Sequence, residues 1–383
     1  MKITFFERTK GACDIYRATQ PLTLIKERGL HDVKVISPSE FAVAMRLDDA
    51  GILGRILAAD VIVLPRLWGR GCFPDLKELN PRAKIVLEYD DDLFNVSPFN
   101  PAYAEHGVEN VEISLQGERI KLWEDGQNIN LAANKKSQGE TMDAMGQADL
   151  ITTTTEILAE RLRNFNPNVA VLPNCVDLNM WKRLPLQPRA GLRMGWFGGH
   201  SHYEDWTLLA PVLPRIMAQF PDLTLVLFGA KFDGTLKGIP KERIEYHKWE
   251  EFAAYPYKAA ILDLDLALIP LRDNAFNSCK SAIKFVEFGA LKVPSVVSFV
   301  SPYKEIATEH NAMWIEDNSP DAWVKGIRCM LEDPLLRTKT GLEAHQTVRN
   351  HFDIAQNYKL WAKAYEEVLR GSPSRSDGVI AHI

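Results

Sequence analysis

The sequence predicts an α/β protein with two doubly wound domains, each a parallel β-sheet covered by helices and facing a shared cleft. The chain has 383 residues, about the length of two ordinary domains. Its content of 46% hydrophobic and 25% charged residues is typical of a globular protein. Short apolar runs alternate with amphipathic stretches through both halves, and this alternation predicts right-handed βαβ units.

The first domain is expected over residues 1–178, where six short runs rich in Val, Ile and Leu predict buried strands. The predicted strands are 2–6, 32–36, 60–64, 83–87, 149–152 and 169–172, with helices at 17–28, 50–59 and 155–165. The polar stretch at about 95–134 is too long for a plain connection and predicts an insertion with some structure of its own. A surface excursion without a role is the alternative.

A linker rich in proline and polar residues is expected at 179–190, followed by a second domain at 191–352. Its predicted strands are 192–197, 223–228, 244–247, 264–269, 293–298 and 312–315, and its predicted helices are 206–219, 250–260, 278–291, 320–332 and 335–350. A last amphipathic helix is expected within 353–371, with packing back onto the first domain as one option. Residues 372–383 are expected to be disordered.

The net charge and the pattern of apolar residues limit which binding partners and which cellular compartment we expect. The formal net charge is −5, so the bulk numbers disfavour nucleic acid as a partner without excluding it. No run reaches the roughly 20 apolar residues of a membrane helix, although peripheral membrane contact stays open. Five cysteines without a CxxC pair, and a start without a signal-peptide pattern, indicate a cytoplasmic protein.

A glycine-rich turn follows the first predicted strand of the second domain. It contains Gly198, Gly199, His200 and Ser201. Ligands of doubly wound sheets bind beyond the carboxyl ends of the strands, and adjacent glycines let the backbone approach a ligand closely. With the N-terminus of a following helix, this turn predicts a diphosphate site. A tight turn without a ligand is the alternative, and a metal pair of His200 with His202 lacks a third ligand.

A second candidate site is the predicted helix 278–291. Lys280, Lys284 and Glu287 have the spacing of one helical stripe, and Ser281 lies beside them. Two lysines one turn apart near a helix start repel each other and oppose the helix dipole, which is explicable if they bind an anion. Glu287 could accept hydrogen bonds from a sugar diol. A solvated face of lysine and glutamate is the alternative.

These residues resemble the donor site of GT-B glycosyltransferases of the family 4 type, which use nucleotide-sugar donors. The similar positions are Lys280, Ser281, Lys284, Glu287, Gly289, Ala290 and Pro294. Residues 171–177 are similar to the family's P-N-G-V-D segment, and 195–201 to its phosphate loop. The sequence departs from the family at Cys279, where an acid is usual, at Cys175, where glycine is usual, and in lacking a basic pair after the phosphate loop.

The resemblance implies two Rossmann-like domains and a hexosyltransferase that is retaining and uses neither metal nor cofactor. It implies that Gly198, Gly199, His200, Ser201, Ser281 and Glu287 bind the donor, with Glu287 on the ribose. Lys280, Lys284 and Asp91 are the expected catalytic residues. Arg17, Asp90 and Asp92 are expected to bind the acceptor or the transferred sugar.

Three other functions stay open from the sequence. Cys279 and the missing basic pair are compatible with a non-catalytic protein that binds a nucleotide-sugar or a glycan. The carboxylates of Asp90–Asp92 follow a predicted strand and also resemble a metal–diphosphate motif, which would give a metal-dependent transferase. The third is a transferase that acts on modified nucleobases.

Overall fold

The chain forms two units in the computed structural model, which describes residues 1–8, 11–47, 50–66, 68–115 and 117–371. Each unit contains one six-stranded sheet in which every strand pairs in parallel with its neighbours. Parallel strands need crossover connections, and helices lie between the strands along both units. The prediction of two doubly wound α/β domains is therefore confirmed.

The first unit comprises Met1–Phe94, Glu105–Cys175 and the described residues from Ile354 onward. Its strands are β1 (Lys2–Phe6), β2 (Asp32–Ile36), β3 (Val61–Pro65), β4 (Lys84–Glu88), β5 (Val111–Leu115), β6 (Glu118–Trp123), β7 (Leu150–Thr153) and β8 (Val169–Val171). Helices in this part of the chain are α1 (Ala12–Asp14), α2 (Gln20–Glu27), α3 (Pro38–Leu47), α4 (Ala50–Leu57), α5 (Trp68–Leu79), α6 (Tyr103–His106), α7 (Leu131–Gln147) and α8 (Glu156–Leu162). The sheet order is β2-β1-β3-β4-β7-β8.

The second unit comprises Asn95–Ala104 and Val176–Asp353. Its strands are β9 (Leu192–Gly198), β10 (Leu223–Gly229), β11 (Ile244–His247), β12 (Leu266–Ile269), β13 (Ser295–Ser298) and β14 (Met313–Ile315). Its helices are α9 (Tyr203–Trp206), α10 (Leu213–Gln219), α11 (Tyr255–Ile261), α12 (Ala275–Ser278), α13 (Ile283–Ala290), α14 (Pro320–Glu332) and α15 (Pro334–His351). The order β11-β10-β9-β12-β13-β14 reverses direction between β9 and β12, where doubly wound sheets bind their ligands.

Two predicted helices of the second unit are interrupted. The predicted helix 206–219 is divided between α9 and α10, and Pro214 lies in the first turn of α10, where proline is favoured. The predicted helix 278–291 is also wrong at its start. Asn274 caps the short α12 by accepting a hydrogen bond from the Asn277 amide, and α13 begins only at Ile283.

The predicted insertion at 95–134 does contain structure of its own. Strands β5 and β6 form an antiparallel hairpin, and the Asn130 side chain caps α7 by accepting from the Ala133 amide. The start of this stretch belongs to the second unit, where the Ser97 hydroxyl donates to Glu204 at 2.6 Å. The insertion is therefore divided between the two units.

The chain returns to the first unit with its last helix, α16 (Ile354–Leu369). This helix packs against α2, and its Trp361 and Tyr365 side chains are completely buried. The predicted disordered tail, 372–383, lies outside the described residues. Of the described helices, none combines the length and the apolar character that crossing a membrane requires.

Arg17 lies in the interior of the first unit. It occupies a π-helical turn, Ile15–Thr19, and its side chain is 2% exposed. Its guanidinium donates to both carboxylate oxygens of Glu88, at 2.7 and 3.2 Å, because that buried charge must be paired. It also donates to the carbonyls of Thr153 and Leu172 and to the Asn174 side chain. The structure thus shows the Arg17 guanidinium hydrogen-bonded within the core, and its binding of acceptor or sugar stays a prediction.

The buried pair predicts a large loss of stability when one charge is removed. We expect Glu88→Gln to lower the free energy of unfolding by about 3 kcal/mol, because it leaves the Arg17 charge buried without a counterion. The matched control is Glu156→Gln, since the Glu156 side chain is 55% exposed in its pair with Arg163 and should contribute about 1 kcal/mol or less. Urea unfolding of both variants measures the difference. Equal effects would contradict the role assigned to Glu88.

Candidate functional site

The turn after β9 exposes its backbone where the sheet order of the second unit reverses. A Cβ on Gly198 would lie 2.5 Å from the Trp196 ring, whereas a Cβ on Gly199 would meet only the Ser201 hydroxyl, at 3.9 Å. His200 and Ser201 are exposed. The glycine at 198 is therefore required by packing inside the turn, and the glycine at 199 leaves space on its outer side. The α9 helix that follows has four residues, so its dipole adds little.

Asp205 fixes this turn against the loops that follow β12. Its side chain is 4% exposed, and one carboxylate oxygen lies 3.1 Å from Nδ1 of His202. The other oxygen accepts from the Arg272 amide at 2.9 Å and from the Asn277 side chain at 2.8 Å. Three segments at the carboxyl end of the sheet therefore converge on one buried carboxylate, which the sequence analysis missed.

Lys280 lies between two helices and not on the predicted helical stripe. The chain bends there between α12 and α13, so Lys280 and Lys284 are not one helical turn apart. The Lys280 ammonium lies 4.5 Å from the centre of the Phe276 ring, and Ser281 beside it is half-buried.

Glu287 and Lys284 do share a face of α13, and Tyr255 joins them. Oε2 of Glu287 lies 2.9 Å from the Lys284 ammonium and accepts a hydrogen bond from the Tyr255 hydroxyl at 2.9 Å. The Glu287 side chain is 3% exposed and that of Lys284 is 16% exposed. Burial and then the Glu287 charge raise the pKa of Tyr255, which therefore stays a hydrogen-bond donor. Two fixed partners hold the carboxylate of Glu287 in one orientation.

An aromatic wall extends this group toward solvent. The Trp249 ring stacks on Tyr255 with centroids 4.9 Å apart, and Trp249 is 48% exposed. The Lys284 ammonium lies 5.8 Å from the Trp249 ring centre and 5.5 Å from that of Tyr255. The sequence analysis also missed Trp249 and Tyr255. Aromatic residues after a predicted strand were the available signal, but they are equally typical of a core.

Electrostatic effects show that the turn and both lysines form one neighbourhood. Burial lowers the pKa of His202, the hydrogen bond that His202 donates to Asp205 opposes this, and the positive charges of Lys280 and Lys284 lower it further. Burial raises the pKa of Tyr303, and the charges of Asp205 and Glu287 raise it further. Asp205, Lys280, Lys284 and Glu287 are therefore close enough to His202 or Tyr303 for their charges to act on those pKa values.

The acidic run of the first unit is held by arginines. Arg66 pairs with Asp90 and, at 2.7 Å, with Asp91, while Arg161 pairs with Asp92. Burial raises the pKa of Asp90, but the charge and hydrogen bonds of Arg66 outweigh burial and leave the pKa below its usual range. Asp91 is the most exposed of the three carboxylates, at 24% of its side chain.

These ion pairs bear on the metal alternative. A divalent cation at Asp90–Asp92 would have to displace guanidinium groups that already neutralise the carboxylates. Within the part of the chain that the structure describes, no group of three or more His, Cys, Asp or Glu side chains is arranged to hold a metal ion. For the proposed pair of His200 and His202, the His202 Nδ1 is occupied by Asp205.

Solved structures with the same fold are glycosyltransferases. No family model matches the sequence, and no curated protein is similar to it at the level of sequence. HepE from Anabaena, crystallised with UDP and glucose, superposes with a TM-score of 0.65 at 14% identity, over 96% of this chain and 99% of HepE. A sucrose-phosphate synthase from Thermosynechococcus elongatus gives 0.67 at 14% identity, over 97% and 100% of the two chains. A glycosyltransferase from Rickettsia africae gives 0.62 at 12% identity, over 97% and 99%.

These likenesses cover nearly the whole chain and show its fold at low sequence identity. The fold is GT-B, with two Rossmann-like domains, as the sequence resemblance implied. In the second unit the strand order reverses between β9 and β12, so the turn after β9 and the loop after β12 lie beside the reversal point. The candidate site described above lies at these two points.

The lowered pKa of His202 predicts how stability depends on pH. The unfolded chain binds a proton at His202 more readily than the folded chain, so this residue stabilises the fold above the ordinary histidine pKa, and the effect is lost as the pH falls through the lowered value. We expect His202→Gln to flatten the decrease in unfolding free energy between about pH 7 and pH 5. Urea unfolding across this range measures it, with His310→Gln at an exposed position as control. An unchanged profile in His202→Gln would contradict the assignment.

Proposed function

We propose that this chain is a glycosyltransferase that moves a hexose from a nucleotide-diphosphate sugar to an acceptor. The observation that carries the proposal is the open turn at Gly199, which Asp205 connects to the segment after β12 that leads into Lys280 and Lys284. A diphosphate is the anion that a doubly wound sheet takes at such a reversal point. HepE, which has the same fold, binds UDP and UDP-glucose, and this supports UDP as the first donor nucleotide to test.

We divide the residues of the candidate donor site into those that bind the diphosphate and those that orient the nucleotide. Lys284 is paired with Glu287, and Lys280 lies on the bend between α12 and α13, in the segments that follow β12. We assign Lys280, Ser281 and the turn 198–201 to the diphosphate. Glu287 is assigned to the ribose, because the family resemblance implies this role and Lys284 and Tyr255 hold its carboxylate in one orientation. Lys284 then acts mainly by holding Glu287 and by its field.

The chemical step needs stabilisation of the leaving group. As the bond between the sugar and the diphosphate breaks, negative charge grows on the diphosphate oxygens, and fixed cations and amide donors nearby lower the barrier. Lys280 and the amides of residues 199–201 are the donors of this site. The resemblance to family 4 supports retention of configuration.

The first unit supplies the acceptor side in this proposal. Asp91, the most exposed carboxylate of its run, is assigned to the acceptor or the transferred sugar, with Asp90 and Asp92 as neighbours held by arginines. The pairing of all three carboxylates with guanidinium groups supports transfer without a divalent metal. Polysaccharide, lipid-linked intermediates and modified nucleobases are all acceptors to be tested.

A second candidate is a protein that binds the donor but does not transfer the sugar. Cys279 favours it, because the family usually has an acid at this position and the cysteine is completely buried. The two candidates differ in turnover and not in donor binding.

Donor binding is tested by thermal stabilisation. We expect one nucleotide sugar, with UDP-glucose tested first, to add about 2.7 kcal/mol of stability at a concentration 100 times its dissociation constant. GDP-, ADP-, CDP- and dTDP-sugars complete the panel. Lys280→Ala should lose most of this stabilisation, whereas Lys237→Ala, an exposed lysine of the same unit, should retain it. Absence of stabilisation by every nucleotide would contradict both candidates.

Transfer is tested by release of the nucleotide from the donor that binds. We expect Lys280→Ala to lower kcat by about 100-fold. The reason is that the Lys280 ammonium would face the negative charge that develops on the diphosphate as the bond to the sugar breaks. The same assay in EDTA separates the metal-dependent alternative, since the proposed enzyme keeps its activity there. Donor binding without turnover across an acceptor panel would instead establish the binding protein, and a kcat unchanged in Lys280→Ala would contradict the catalytic assignment.

A further inference from the structure

The second unit contains a basic groove that the proposed function does not use. It lies at the carboxyl end of α13, between the segment after β8 and helix α15, and has a volume of about 390 Å³. The residues whose side chains matter here are Trp181, Lys182, Arg183, Lys292, His345 and Arg349. None of them belongs to the candidate donor site.

The charge of this basic groove is strongly one-sided. Lys182, Arg183, Lys292 and Arg349 all line it and are all exposed, and no carboxylate is among the described lining residues. Arg183 has a distant carboxylate neighbour, Asp263, at 3.7 Å. Cationic side chains from the segment after β8, the end of α13 and α15 thus line one concave space, and a local excess of positive charge attracts anions.

Two polar groups belong to residues that line the groove. The indole N–H of Trp181 is buried and has no hydrogen-bond partner among the described residues, although Trp181 lines the groove and is 1% exposed. A buried donor of this kind is normally paired. Nδ1 of His345 lies 3.2 and 3.1 Å from the carbonyls of Gly289 and Ala290, so it carries the proton and covers oxygens that would repel an anion.

We propose that the basic groove is a second anion site, which binds a phosphoryl group such as phosphate, diphosphate or a phosphorylated headgroup. Guanidinium and ammonium groups together suit phosphate oxygens, since arginine donates in pairs and lysine as a point charge. The Trp181 ring meets Tyr255 edge-on with centroids 5.3 Å apart, and Tyr255 donates to Glu287. An occupant of the groove is thereby connected to the candidate donor site through two side chains.

The experiment is titration of the full chain with inorganic pyrophosphate by isothermal calorimetry. The groove variant combines Lys182→Ser with Arg349→Ser. The control combines Lys325→Ser with Arg328→Ser, which removes the same charge from two exposed positions of α14. All proteins carry Lys280→Ala, so that the candidate donor site does not contribute. We expect the groove variant to bind at least about tenfold more weakly and the control to bind like its parent.

Two further arms complete the test. Cosedimentation with phosphatidylcholine vesicles that contain phosphatidic acid separates a lipid headgroup from a soluble phosphate, and in either case the groove variant must lose the binding. Circular dichroism checks folding, and Lys182→Glu, at an exposed position, serves as second variant if the double variant is impaired. Absence of binding in both arms, or equal binding by groove variant and control, overturns the proposal. Neither result depends on whether the chain binds a nucleotide sugar.

Discussion

A charge that is taken out of water must be paired, and this constraint organises the carboxyl ends of both sheets. In the first unit, the hydrogen bonds of the Arg17–Glu88 pair connect the π-helical turn to the ends of β4 and β7 and to the segment after β8. In the second unit, Asp205 accepts hydrogen bonds from the turn after β9 and from the segments after β12. Each sheet end is therefore stabilised around a buried charged side chain, Arg17 in the first unit and Asp205 in the second.

The same constraint explains why the candidate donor site is rigid before any ligand is bound. Glu287 is held by Lys284 and Tyr255, and Tyr255 is held in turn by its stack with Trp249. Groups that are already oriented lose little freedom when a ligand binds. Lys280 lies outside this arrangement, on the bend between α12 and α13, and its ammonium contacts the Phe276 ring.

The sequence was sufficient for the sheets but insufficient for the contacts that make the site. Each predicted strand of the two sheets is present within two residues of its predicted ends, because runs of branched apolar residues between turn residues are a local signal. The start of α13 was missed, since a cap at Asn274 competes with helix propensity. The pairing of Arg17 with Glu88 joins residues 71 positions apart, and no local pattern encodes such a contact. The donor-site residues could be named from resemblance, whereas Asp205 could not.

The return of the chain to the first unit has a consequence for biosynthesis. The second unit is contiguous from Val176 to Asp353 apart from Asn95–Ala104, but the core of the first unit contains Trp361 and Tyr365 from the last helix. Trp361 also donates to the Arg17 carbonyl at 2.8 Å. A ribosome makes the amino-terminal part first, yet that part lacks one of its buried helices until Ile354–Leu369 has been synthesised. The second unit can therefore complete its fold before the first unit does. Until α16 has been synthesised, the apolar face that it covers in the first unit stays exposed.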